Sequence, residues 1–193
     1  MEDTRIPEDQ QDRQSVRQTR GGDPQGFNDL VRRYGPLLYR LSLQYLGDPD
    51  EAEEQAQEIL LKAYRNLARY DQNHRFFTWL YSLALNHLRS ELRKRRTRQR
   101  QTWSGPVLED RLAAGEAGPD EELLRKEARE LVRRTVRNLP ARYREVYLLR
   151  EVEDLSTSDT AEVLGIPEGT VKIRLHRSRR LLKKQLENYF DER

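Results

Sequence analysis

Apolar residues in this chain recur at three- and four-residue steps and nowhere alternate over the length of a strand. That periodicity admits amphipathic helices and excludes a sheet. Phe27, Leu30, Val31, Tyr34, Leu37, Leu38, Leu41 and Tyr45 mark one helix. Proline lacks the helical N–H donor, so Gly35-Pro36 is expected to kink or divide it. Gly47 ends the helix and Asp48-Pro49-Asp50-Glu51 opens another, with Asp48 as cap, Pro49 at the first helical position and Glu51 at capping-box spacing. Its buried stripe is Ala52, Ala56, Ile59, Ala63 and Leu67. A polar loop over 70–75 precedes a third helix from about Phe77 to Arg96, with Leu80, Leu83, Ala84, Leu88 and Leu92 inward.

Glycine and proline then dominate. Residues 97–120 hold Gly105, Pro106, Gly115, Gly118 and Pro119 and show no period, which predicts a flexible linker long enough that the flanking halves need not touch. Residues 1–23 carry only Met1, Ile6 and Val16 as sizeable apolar groups and are read as a disordered tail. The expected fold is all-α, with two small helical domains at 24–96 and 121–193. Charged residues make up 36% of the chain and hydrophobic ones 35%, which suits two small cores better than one large one.

The 36 basic and 33 acidic residues nearly cancel, so their distribution carries the information. Asp50, Glu51, Glu53, Glu54 and Glu58 form an acidic block, while Arg93 to Arg100 and Lys172 to Lys184 are basic. Segregated signs suggest one surface for an acidic polymer and another for a protein partner. There is no cysteine, and His74, His87 and His176 are scattered, so neither a disulfide nor a metal or cofactor site is expected. No phosphate-cradling glycine loop or nucleophile–base pair suggests an enzyme. A charged N-terminus and the absence of a membrane-length apolar run give a cytoplasmic expectation, or a nuclear one in a eukaryote.

The sharpest local signal lies between 155 and 182. Ser156-x-x-Asp159 is a capping box, Ala161 is small enough for a close helix crossing, Gly165 suits a tight turn, and Val171 can anchor a second helix. This is a helix-turn-helix pattern. With Val171, Leu175, Ser178 and Leu182 inward, about 100° per residue puts Gly169, Ile173, His176, Arg177 and Arg180 outward, flanked by Thr170, Lys172 and Arg179. Arg177 can reach guanine edges and Ile173 a thymine methyl, while Lys172, Arg179 and Arg180 suit phosphates. Charge alone fits a solvated face equally well; the outward Ile173 favours a contact surface.

From Leu139-Pro140 and Arg144 through Leu155-Ser156 to Gly169-Thr170-Val171-Lys172, this half resembles the C-terminal, −35-binding domain of bacterial sigma factors. Thr160 stands where many members have isoleucine and Asp159 where many have glutamate. The N-terminal half resembles the family's core-binding and −10-binding domain through Asp50-Glu51-Ala52-Glu53-Glu54, Gln57-Glu58, Lys62-Ala63-Tyr64 and Trp79-Leu80-Tyr81-x-x-Ala84-x-Asn86. The likeness spans about Gln25 to Phe190 apart from the linker. The lack of a middle domain matches the extracytoplasmic-function class.

That resemblance implies a non-enzymatic RNA polymerase sigma factor directing promoter-specific initiation. Asp50, Glu53, Glu54, Gln57 and Glu58 would meet the clamp helices of the polymerase's largest subunit, and the flap is a further implied contact. Asp71, Gln72, Asn73, His74 and Arg75 would hold a flipped-out base of the melted −10 strand. Asn86, Arg89, Arg93 and Lys94 would follow that strand; Ser90 replaces the family's frequent aspartate. Trp79 is expected in the core, and His87 at the surface or as a minor DNA contact. Glu109, Asp110, Glu116, Asp120, Glu121 and Glu122 would let the linker occupy a basic polymerase channel. Promoter DNA, core polymerase and an anti-sigma factor are the implied partners of a chain that is monomeric when free. An ordinary operator-binding helix-turn-helix regulator, usually dimeric, or a polymerase-binding inhibitor would each explain only part of this pattern.

Overall fold

A computed structural model describes residues 9–102 and 121–191, and among them there are eight α-helices and no strand. The order is α1 (Asp9–Arg20), α2 (Pro24–Leu46), α3 (Pro49–Asn66), a 3-10 turn (Leu67–Arg69), α4 (Phe76–Thr102), α5 (Glu121–Asn138), α6 (Ala141–Tyr147) running into a π turn (Leu148–Val152), α7 (Thr157–Leu164) and α8 (Glu168–Asp191). The linker carboxylates from Glu109 to Asp120 lie outside the described residues, while α4 continues six residues into the stretch expected to be irregular.

The caps explain where α2 and α3 divide. Gly47 takes φ 82°, a left-handed conformation that glycine adopts without penalty, and its N–H bonds to the Leu43 carbonyl. Asp48 then accepts from the Glu51 N–H at 2.9 Å and opens α3. Pro36 does not divide α2. Arg32 and Pro36 are exposed, so water can reach the carbonyl that the proline leaves unbonded. Tyr34, Leu38 and Leu41 on the opposite face are buried and hold the helix together.

The expectation of a disordered tail fails for residues 9–20. α1 packs across α2 with Val16 fully buried, and it comes so close at Gly26 that a Cβ there would lie 2.4 Å from the Ser15 carbonyl oxygen. Its other anchor is polar. Asp12 is 1% exposed, accepts from Arg33 Nη1 at 2.6 Å and receives a short hydrogen bond from the Tyr34 hydroxyl; Arg33 Nη2 also donates to Ser15 Oγ at 2.6 Å. Burial raises the Asp12 carboxyl above its ordinary value, against the pull of Tyr34 and Arg33.

The two halves touch, although their tether did not require it. Buried apolar groups from both form a continuous cluster that includes Leu80, Tyr81, Leu149, Leu155 and Val163. Arg144 stacks its guanidinium 4.6 Å from the Tyr45 ring and donates to the Arg137 carbonyl at 3.0 Å, which ties the end of α5 to α6 and α2. α7 lies along α4, where Ser82 Oγ donates to the Val163 carbonyl at 2.8 Å.

Candidate nucleic-acid interface

The helix-turn-helix is built as its local chemistry dictates. Ser156 Oγ accepts from the Asp159 N–H at 2.9 Å and bonds Asp159 Oδ2 at 2.7 Å. Gly165 takes φ 63°, and the Ile166 N–H returns to the Ala161 carbonyl, so the chain turns sharply out of α7. Val171, Ser178 and Leu182 are buried, Leu175 is half-buried, and Ile173 is 57% exposed. Lys172, His176, Arg177, Arg179 and Arg180 are exposed and Thr170 is half-buried.

Two of these side chains are already engaged within the molecule. Arg179 pairs with Glu151 at 2.6 Å, and Arg177 acts on the Tyr143 phenol, holding it below its ordinary pKa chiefly by hydrogen bonding. Arg142 also stacks over the Tyr143 ring, 4.7 Å from its centre. α6 thus adds Arg142 and Tyr143 to the basic face, a contribution missed from the sequence because no local pattern shows which residues of α6 lie beside α8.

The loop at 71–75 is outward-facing, with Asp71, Asn73 and His74 exposed and Gln72 and Arg75 half-buried. Asp71 Oδ1 accepts from the Asn73 N–H at 2.9 Å, closing a tight local turn. Behind it Trp79 packs with Tyr70 and Phe76 at ring distances of 5.1 and 5.5 Å; it is half-buried against the core, not enclosed within it. On α4, Asn86 and Arg93 are exposed, and exposed Lys94 pairs with Glu91 at 2.7 Å. Arg89 behaves differently. Its Nε and Nη2 bind both oxygens of buried Glu145 at 2.6 and 2.7 Å, and this hydrogen bonding raises the guanidinium pKa.

Carboxylates of the C-terminal half therefore occupy several of the groups expected to hold or follow a nucleic-acid strand. Arg75 pairs with Asp159 at 2.5 Å and His74 lies 3.5 Å from Glu162. Beside them Arg40 forks onto Glu153 at 2.5 and 3.0 Å, and Tyr81 donates to the same carboxylate at 3.2 Å. No local pattern could have predicted these partners, because each pair is separated by scores of residues. Asp159 was legible only as a cap.

His87 is neither at the surface nor available to DNA. It is 7% exposed, with Lys62 Nζ 2.5 Å from Nδ1 and Gln55 Oε1 2.7 Å from Nε2. An ammonium can only donate and an amide oxygen can only accept, so the ring is neutral with its proton on Nε2. Burial and the Lys62 charge both lower its pKa. On α3, Asp50, Glu53, Glu54, Gln57 and Glu58 are all exposed, with Leu61 and Tyr64 40% and 53% exposed on the same helix.

Residues 30–98 match the family model for sigma-70 region 2, and residues 129–182 match that for sigma-70 region 4. The ECF RNA polymerase sigma factor SigW of Bacillus subtilis is 34% identical over 89% of this chain and 94% of its own length. This chain belongs to the extracytoplasmic-function sigma factors. The RNA polymerase sigma-H factor of Pseudomonas aeruginosa is 34% identical over 92% of this sigma factor and 95% of its own length. The CnrH chain, solved in complex with the cytosolic domain of CnrY, superposes with a TM-score of 0.70 at 25% identity, covering 92% of this sigma factor and 98% of that chain. The sigma factor RpoE of Bartonella quintana, solved with the anti-sigma factor NepR, shares the fold with a TM-score of 0.65 at 22% identity over 83% and 96% of the two chains. Among the described residues no helix of this sigma factor is long and apolar enough to cross a membrane.

Proposed function

We propose that this sigma factor reads the −35 element as duplex with α8 and the −10 element as a melted strand with residues 71–75 and α4. The carrying observation is the exposed Ile173 among His176, Arg177 and Arg180, on a helix whose opposite face is anchored by Val171, Ser178 and Leu182. An apolar side chain in the middle of a basic face suits base edges better than solvent. The exposed Asp71, Asn73 and His74 offer donors and acceptors to an unstacked base, and Asn86, Arg93 and Lys94 continue a polar and basic track along α4.

Asp50, Glu53, Glu54, Gln57 and Glu58 with exposed Leu61 and Tyr64 form the face that meets the clamp helices of core polymerase. Their charges give steering and the two apolar groups give buried area. The second half meets the flap. An anti-sigma protein is the expected antagonist, in keeping with the solved sigma factor RpoE, which is bound to the anti-sigma factor NepR. The chain works in the cytoplasm, and its role is recognition, without chemistry of its own.

Arg75 and Arg89 cannot serve a DNA strand while Asp159 and Glu145 hold them, so the halves separate before the −10 strand is read. Run-off transcription with purified core polymerase on a library of randomised promoters tests the assignment. Transcripts that depend on this protein and share spaced −35 and −10 motifs are expected. Stable core binding without transcripts would replace the proposal with an inhibitor, and neither binding nor transcripts would replace it with an operator-binding regulator.

A further inference from the structure

The side chain of Arg20 reaches across to a segment 47 residues away. It closes α1, and its guanidinium sits over the carbonyls at the end of the 3-10 turn that follows α3. Nε and Nη2 donate to the Leu67 carbonyl at 3.1 and 2.7 Å, and Nη2 also reaches the Ala68 carbonyl at 3.3 Å and, by a short bond, the Tyr70 carbonyl. The Leu67 carbonyl also accepts from the Tyr70 N–H at 3.2 Å, the bond that closes the turn, and no further helical turn follows to supply donors to this end. A cation at this end also opposes the partial negative charge of the helix terminus.

Tyr70 carries the constraint onward. Its ring is buried between Phe76 and Trp79 with the Arg20 guanidinium 6.0 Å from its centre, and its hydroxyl donates to the His74 carbonyl at 2.5 Å. The base-reading loop is therefore pinned at both ends, by Arg20 at residues 67–70 and by the Tyr70 hydroxyl at His74. Between those pins, Asp71 and Asn73 close the turn that leaves their side chains outward.

We infer that Arg20 is a positioning residue for −10 recognition, and that α1 serves as a strut behind the loop at 71–75. This rests on the reading that the loop holds a −10 base. Arg20 touches no DNA; it fixes where Asp71, Gln72, Asn73 and His74 stand. A planar fork is needed because one side chain must satisfy three carbonyls, which the single ammonium of a lysine meets poorly.

The test compares full-length wild type, Arg20→Gln, Arg20→Lys and Asn73→Ala with core polymerase on promoters randomised separately at −10 and −35. Thermal melting and amide exchange at Asn73 and His74 are followed in parallel. Arg20→Gln is expected to lose about tenfold in discrimination at a −10 position, the scale of one good base contact, with −35 preference and core affinity unchanged and faster exchange at the loop amides. Arg20→Lys should recover part of the discrimination. The inference is overturned if Arg20→Gln leaves −10 preference intact while Asn73→Ala flattens it. It is equally overturned if −10 and −35 preferences fall together with melting temperature, since that is a purely structural role. If Asn73→Ala also leaves −10 preference untouched, the assignment of the loop fails and the inference falls with it.

Discussion

Replacing Glu145 with Gln and Asp159 with Asn together should release the contact between the halves. Both changes keep shape and remove charge. Glu145 is 6% exposed at its side chain and binds Arg89 through two bonds, at 2.6 and 2.7 Å. Breaking such a pair costs about 3–5 kcal/mol when both groups are buried. Arg89 is 36% exposed and the new amide still offers one oxygen, so about 2 kcal/mol is the better figure here. The Arg75–Asp159 pair is wetter and should add about 1 kcal/mol. If the two add, the closed state loses about 3 kcal/mol, or roughly a hundredfold in its equilibrium with the open one. While the closed state predominates, apparent affinity for a −10 strand is the intrinsic affinity scaled by the open fraction. A fluorescent single-stranded −10 oligonucleotide should therefore bind up to about a hundredfold more tightly to the double variant. Because the chain has no cysteine, a dye pair at Asn28→Cys and Lys184→Cys, both exposed, reports the separation directly. Unchanged oligonucleotide affinity and energy transfer in a folded double variant would refute the reasoning.

Three further outcomes are expected. Arg177→Ala should cost about 1–3 kcal/mol and relax a single −35 position if the guanidinium contacts a base, measured by transcription from promoters varied at each −35 base. Thr160 is fully buried and its hydroxyl has no hydrogen-bond partner, so Thr160→Val should stabilise the fold by about 1 kcal/mol and raise the melting temperature by about 2–4 °C. His87, whose pKa is lowered by burial and by Lys62, favours the neutral ring in the folded state. Its contribution is present above the unfolded pKa near 6.5 and is lost as pH falls through the folded value, so thermal melts between pH 7 and 5 should decline less steeply for His87→Gln than for wild type.

The helix-turn-helix was legible because each of its determinants is local. Ser156 and Asp159 lie three residues apart, Gly165 sits at the required positive φ, and Val171 faces inward at helical period. The division of α2 from α3 was legible for the same reason, through Gly47 and Asp48. α1 was hidden because its anchor is a polar network, Asp12 with Arg33, Ser15 and Tyr34, which no hydrophobic period records. Only Val16 betrayed it, and one apolar residue is a weak signal. The candidate site was legible as a set of exposed groups on α8 and in the loop, yet the pairing of Arg89 with Glu145 and of Arg75 with Asp159 was not. Such pairs depend on how two halves meet across a linker, and helical periodicity within either half carries no information about that.

The closed contact has a consequence for the ionic medium in which the protein works. Added salt weakens the arginine–carboxylate pairs between the halves and so frees the cations of the loop and α4. The same salt weakens the grip of those cations on phosphates, because releasing condensed counterions into a more concentrated solution gains less entropy. The two responses have opposite sign. Binding of a free −10 strand should therefore pass through a maximum at intermediate ionic strength, where most DNA-binding proteins show only a steady decline, and the position of that maximum measures how firmly the molecule holds itself shut.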